Sequence, residues 1–404
     1  LKHPLPARRA TVPTAVSRTP WGGLGLGLVA VLLVLGGAAF LGHPPAAQHP
    51  ALPPLPPGTW HAVAPLPYPR KRAVAVAYPP TGRIYLLGGR MGTDGADVST
   101  PGIFEYTPGD PGRWMQKEAH LPAPLFGPGE IYTNNPVAAV LTGSLGSAIY
   151  IIGGNNRQSV PTTTVSLYFP LSDTVQVLTS DPWPADPPRV PGGAAALDNK
   201  LYVFGGFNAY TRQVYADTWQ FDPLAAPGHR WIPLPTAALS TARAFLGGAA
   251  LDRHLYAIGG STYTDTPHPQ PPHGVFTPSA LVEQLDPYAS PPRWQLVAAL
   301  PQPRSDMGVW SLPTGSTGPL AGSLIVGGGP WFTPDTHAYQ YLPAYDQWRA
   351  FPALPRATRN SATAQLGAAL YLIGGYDLST GLADTSASVE RYLSDSLPSP
   401  SATR

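Results

Sequence analysis

The six residues Leu201-Tyr202-Val203-Phe204-Gly205-Gly206 decide how this chain is read. An apolar run of aromatic and β-branched residues, of strand length, is stopped by two glycines. The pattern occurs six times: Ile84 to Gly89, Ile149 to Gly154, Leu201 to Gly206, Leu255 to Gly260, Leu324 to Gly329 and Leu370 to Gly375. Recurrence at this spacing marks a repeat architecture. The parts around each diglycine keep one order. An Ala/Val-rich strand precedes it, as in Ala73-Val74-Ala75-Val76-Ala77. A loop and a third strand follow, as in Thr218-Trp219-Gln220-Phe221-Asp222 or Val389-Glu390-Arg391-Tyr392. A fourth strand opens with Trp in five cases (Trp60, Trp114, Trp231, Trp294, Trp348), and Val175 to Leu178 fills that place in the second repeat.

Four short strands repeated six times predict an all-β chain, a six-bladed β-propeller over residues 59–394. The last repeat lacks a fourth strand, and the missing one stands at Trp60-His61-Ala62-Val63. The N- and C-terminal strands are therefore expected to pair, which closes the ring and removes open sheet edges. The order diglycine, Tyr, Trp resembles the kelch repeat over about 335 residues.

Composition narrows the function classes. Only 12% of residues are charged, and Pro 53 and Gly 43 favour turns over helices. A net charge of +2 supplies no field for nucleic acid. With Cys 0 there is no disulfide, thiolate metal site or cysteine nucleophile.

Residues 1–20 carry Lys2, Arg8, Arg9 and Arg18. Within 21–42 an uncharged run, Leu24 to Leu41, is long enough to span roughly 27 Å as a helix. The basic flank predicts a single-pass transmembrane signal-anchor with a cytoplasmic N-terminus and an extracytoplasmic propeller. A cleaved signal peptide, leaving a secreted protein, is the alternative. Residues 43–58 read as a Pro-rich spacer and 395–404 as a disordered tail.

In a four-stranded meander, the loop into the first strand and the loop after the diglycine emerge on one face, the mouth. Counting back sixteen from Gly88, Gly205 and Gly259 reaches Arg72, Arg189 and Arg243; fifteen before Gly374 is Arg359. Allowing for a longer hairpin in the fifth repeat gives Arg304, and in the second repeat Thr133 beside Asn134 and Asn135. Two readings stand: each guanidinium caps backbone carbonyls with its five donors, or the ring grips a carboxylate or phosphate. Carboxylates at Asp94, Asp97, Asp265, Asp377 and Asp384 are candidates to compensate the cations internally. Phe207, Trp331 and Tyr376, with Tyr210, Tyr263 and Phe332, follow diglycines and suit stacking on a sugar or peptide. Kelch substrate adaptors of ubiquitin ligases look similar here. The resemblance implies binding of an acidic peptide by Arg72, Arg189, Arg243, Arg304 and Arg359.

Glu130, near the mouth, is the candidate general acid/base of a second reading. The extracytoplasmic sialic acid mutarotases are six-bladed kelch proteins, and that resemblance implies a mutarotase or epimerase acting on a sugar acid. Copper-radical oxidases of the galactose oxidase type are excluded, because their site needs a Cys. His268 and His273 form no persuasive metal site, and no phosphate loop or nucleophile elbow occurs, so no cofactor is expected. The first reading is a non-catalytic module, tethered to the membrane, that binds an acidic peptide segment or glycan at its mouth.

Overall fold

The computed structural model describes residues 50–92, 98–100, 102–122, 134–156, 160–264, 274–329, 334–379 and 384–395. The anchor at 21–42, the basic tail before it, most of the spacer and the C-terminal tail beyond Asp395 lie outside them. Among the described residues, no helix is long and apolar enough to cross a membrane.

Six four-stranded antiparallel sheets make up the described part. In chain order their innermost strands are Val74–Tyr78, Val137–Gly143, Val190–Leu197, Gly247–Leu251, Gly308–Leu312 and Ala362–Leu366. Each packs against the one before and the one after, and the sixth packs against the first, so the six enclose a central channel. The sheets are the blades of a β-propeller, numbered here from that of Val74.

Each blade repeats one local logic. The second strand carries the apolar run, which is buried throughout: Leu201, Tyr202, Val203 and Phe204 are all buried. The diglycine then turns the chain. Gly205 has φ +64, and a Cβ there would come within 2.6 Å of the Arg243 carbonyl oxygen of the next blade. Left-handed backbone and close approach together require glycine. The second glycine donates its N–H across the seam: Gly206 to Arg243 O (3.0 Å), Gly260 to Arg304 O (2.9 Å), Gly329 to Thr358 O (2.8 Å) and Gly375 to Arg70 O (2.6 Å).

The fourth-strand tryptophans tie each blade to its predecessor. The indole N–H donates to Ala64 O from Trp114 (2.9 Å), to Asp181 O from Trp231 (3.1 Å) and to Ala298 O from Trp348 (2.8 Å). The ring packs on the third-strand aromatic of its own blade, as in Tyr106 with Trp114 and Tyr341 with Trp348, both at 4.9 Å between centroids. In blade 2, Thr174–Val177 supplies a fourth strand without Trp. Blade 6 is assembled from both chain ends. Gly58–Ala62 pairs with Val389–Ser394, with Trp60 opposite Tyr392. Strand direction puts Gly58 on the face opposite the mouth.

Candidate functional site

The mouth is built by the residues that lead into the six inner strands. Three consecutive positions recur there, each with its own task. The last of the three is in left-handed backbone in five blades: Arg72 (φ 59), Asn135 (φ 52), Phe245 (φ 54), Asp306 (φ 56) and Asn360 (φ 55). These five are strung together by main-chain hydrogen bonds. Asp306 N–H donates to Phe245 O (3.1 Å), Asn360 to Asp306 O (2.9 Å), Arg72 to Asn360 O (3.0 Å) and Asn135 to Arg72 O (3.0 Å). Blade 3 interrupts the belt with Pro191, whose ring forbids a positive φ. The belt surrounds a cavity of about 300 Å³ in the channel, lined by Arg72, Asn135, Phe245, Asp306 and Asn360 among others.

Two positions earlier, in the five blades where that position is described, sits a deeply buried residue, and here three of the expected arginines are found. Arg189, Arg243 and Arg304 are 2%, 0% and 1% exposed. Each is paired within its own blade. Arg243 binds the Glu283 carboxylate and donates Nη1 to Gly259 O at 2.6 Å and Leu281 O at 3.0 Å. Arg304 binds Asp335 (2.6 Å) and Gly328 O (2.7 Å), under the Tyr339 ring. Arg189 binds Asp217 and is sandwiched by Tyr215 and Trp183. Arg243 fastens the diglycine turn to the third strand, Arg304 fastens it to the loop before that strand, and Arg189 binds the third strand. The compensating carboxylates are Glu283, Asp335 and Asp217, none of which was among the five expected. Burial pushes the Arg243 pKa down, against the pull of Glu283.

The counting that placed Arg72 in this set is corrected by hairpin length; Arg359, reached by counting fifteen instead of sixteen, falls one place past the buried position. Blade 1 joins its first two strands through Pro79–Thr81 and Gly82, whereas blade 4 turns between Leu251 and His254 with two residues. The longer turn shifts the count by two, so Arg70 is the counterpart of Arg243. In blade 1, Phe104 stands where Glu283 stands in blade 4, opposite the residue two before the diglycine. Arg70 lies over that ring at 5.0 Å, and burial lowers its pKa to about 10. In blade 6, Thr358 holds the buried position and Arg356 does the fastening, to Glu390 (3.0 Å) and Gly374 O (2.5 Å). Arg356 was missed because it lies eighteen residues before Gly374, outside the spacing sought.

The remaining expected residues divide. Asn134 is fully buried and bonded to the Asn155 backbone, so its neighbour Asn135 meets the cavity instead. Tyr376 is buried under Lys71 Nζ (4.4 Å) and Arg359 (5.0 Å). Phe207 stands half-buried at the mouth, in contact with Phe245, Tyr263 and Phe276. Glu130, Trp331, Phe332, Asp94, Asp97, Asp265, His268 and His273 lie outside the described residues. Among the described residues, no group of three or more metal-ligating side chains occurs.

Asp306 was not anticipated. It is half-buried and lines the channel cavity. That burial raises its pKa above the usual carboxylate range, although Arg72 and Arg359 draw it back. An enclosed carboxylate beside two guanidiniums can accept a proton or a hydrogen bond, while the cations offer forks to an anion. The sequence signal was present, since Asp306 follows Arg304 at the head of an inner strand.

A family model described as Kelch motif matches residues 188–237. Kelch repeat and BTB domain-containing protein 1 of Cowpox virus (strain Brighton Red) is 27% identical over 49% of this chain and 31% of that protein. Kelch repeat and BTB domain-containing protein 13 of Homo sapiens is 34% identical over 28% of this chain and 20% of that protein. The chain thus spans less than a third of these relatives. The solved structure titled "Structure of YjhT" superposes with a TM-score of 0.58 at 15% identity, covering 81% of this chain and 95% of that one. With the diglycine strands and the ring of four-stranded blades, these matches lead to one assignment: the chain is a β-propeller built of kelch-type repeats.

Proposed function

We propose that this chain is a six-bladed kelch propeller acting as a non-catalytic binding module. It takes an acidic peptide segment or glycan at the channel mouth. The observation that carries the reading is the cavity of about 300 Å³ with Arg72, Asn135, Asp306 and Asn360 on its rim. Its size sits at the lower end of the range for ligand sites. The cation offered to the ligand is Arg72, which lines the cavity, with Arg359 near it; both also act on the Asp306 carboxylate. Two guanidiniums against one carboxylate leave the rim net positive. The proposal retains the single-pass anchor at 21–42 with the propeller extracytoplasmic, on the strength of the apolar run and its basic flank. A panel of acidic peptides and acidic glycans, titrated against the full chain and an Arg72→Asn/Arg359→Gln variant, tests it. Loss of about tenfold in affinity is expected. Unchanged binding would remove the mouth from the account.

Asp306 favours a second reading, a sugar-acid mutarotase or epimerase. A carboxylate with a raised pKa, on a cavity wall and near two cations, has the character of a general acid/base. It takes the part first given to Glu130. Anomer exchange of a sialic acid followed by NMR, with Asp306→Asn as control, decides it. Exchange no faster than in buffer ends the enzymatic reading.

A further inference from the structure

Arg72 and Phe245 belong to blades 1 and 4, three apart in a ring of six, so they face each other across the channel. Both line the cavity. Both also hold positive φ, at 59° and 54°. Asn and Asp visit that region readily and occupy it at Asn135, Asp306 and Asn360. For Arg, and still more for Phe, it is strained backbone, and strain of this kind gathers at ligand clamps.

Phe245 belongs to a cluster of four half-buried rings. Phe207 lies 4.9 Å from Phe276 and 5.2 Å from Tyr263; Phe245 lies 5.2 Å from Phe276; Tyr263 and Phe276 are 4.8 Å apart. The last two are register partners on the hairpin Ser261–Thr264 with Val275–Pro278, which extends blade 4 at the mouth. On the other side stand Arg72 and Arg359, from blades 1 and 6, and Arg90, which donates to Asn156 O at 2.9 Å. The mouth has a cationic half and an aromatic half.

We propose that the ligand is an extended peptide in which an acidic residue is followed directly by an aromatic or large aliphatic one. This inference rests on the binding-module reading above and names its ligand. Successive side chains of an extended segment point to opposite sides. A segment entering the channel therefore turns the carboxylate toward Arg72 and its neighbour toward Phe245. The aromatic half holds three Phe and one Tyr, hence a single hydroxyl. A sugar can stack its CH face there, but the four rings carry one hydroxyl between them to specify its hydroxyls, whereas an apolar side chain needs none.

Calorimetric titration of the full chain with acetylated, amidated Gly-Asp-Phe-Gly, Gly-Asp-Ser-Gly and Gly-Asn-Phe-Gly, and with glucuronate, tests the inference. The Asp-Phe peptide should bind about tenfold more tightly than either single replacement. Phe245→Gly, which suits a positive φ, should weaken the Asp-Phe peptide by about tenfold and leave the Asp-Ser peptide within about twofold. Tyr263→Ala, on the outer hairpin, serves if that variant does not fold. Equal binding of the Asp-Phe and Asp-Ser peptides, both lost in Arg72→Asn, would overturn the aromatic half while leaving recognition at the mouth intact. Glucuronate binding above every peptide would overturn the peptide ligand. Absence of binding in all arms would overturn both this inference and the reading beneath it.

Discussion

Arg243 and Arg72 sit two structural positions apart in the repeat, one in blade 4 and one in blade 1, and do opposite jobs. Arg243 is sealed in its blade, every terminal nitrogen engaged by the diglycine carbonyl, a third-strand carbonyl or Glu283. Arg72 is half-buried, held by its backbone in the belt, and lines the cavity. The same residue type becomes a structural fastener or a residue of the cavity wall according to its offset from the left-handed residue. The difference teaches that a ring of arginines in a propeller sequence is not in itself an anion site. Those in the buried offset are turned into their own blades, three of them onto carboxylates.

The comparison can be broken first at the buried position. Arg243→Met leaves Glu283 unpaired and should destabilise the protein by about 3–5 kcal/mol in denaturant unfolding. Adding Glu283→Leu should restore most of that, because an apolar pair replaces a buried ion pair at little cost. A single variant no less stable than the parent would deny the fastening role.

Next comes the pH dependence of the rim. The folded pKa of Asp306 is raised, chiefly by burial. The folded state therefore holds this proton more tightly than the unfolded state. Its contribution is fully present below the ordinary carboxylate pKa and is lost as pH rises through the folded value. Asp306→Asn should accordingly be more stable than the parent at neutral pH and show a flatter stability profile over that window. Thermal melts across the acid range measure it, and parallel profiles would contradict the assignment.

The smallest effect belongs to Arg72→Asn. Asn is already used at two of the equivalent positions and tolerates the backbone there, so stability should change by no more than about 0.5 kcal/mol. A loss comparable to that of Arg243→Met would merge the two classes of arginine.

Much of the fold was readable because its signals are redundant. Six diglycines, the Tyr and Trp around them, and a missing strand at one end with a spare at the other all point to a ring of blades. The site was less readable. Counting from the diglycine assumes equal hairpins, and Gly82 with Pro79–Thr81 broke that assumption in blade 1, hiding Arg70 behind Arg72. The carboxylate partners were obscured for another reason. Blade 4 uses third-strand Glu283, whereas in blade 5 Tyr339 takes the same place and Asp335 reaches in from the preceding loop. Phe245 gave no warning, since nothing in a sequence marks a phenylalanine for a left-handed backbone.

The pairing of Gly58–Ala62 with Val389–Ser394 has a consequence for synthesis. A chain made from its N-terminus displays Trp60 long before Tyr392 exists to receive it. The first five blades can stack on the ribosome as an open crescent, but the sixth must wait for the far end. Until then that early segment is an unclaimed strand with a bare indole, the kind of edge that neighbouring nascent chains can capture. Growth of the polypeptide, rather than the chemistry of any one blade, sets when the molecule becomes safe from its own copies.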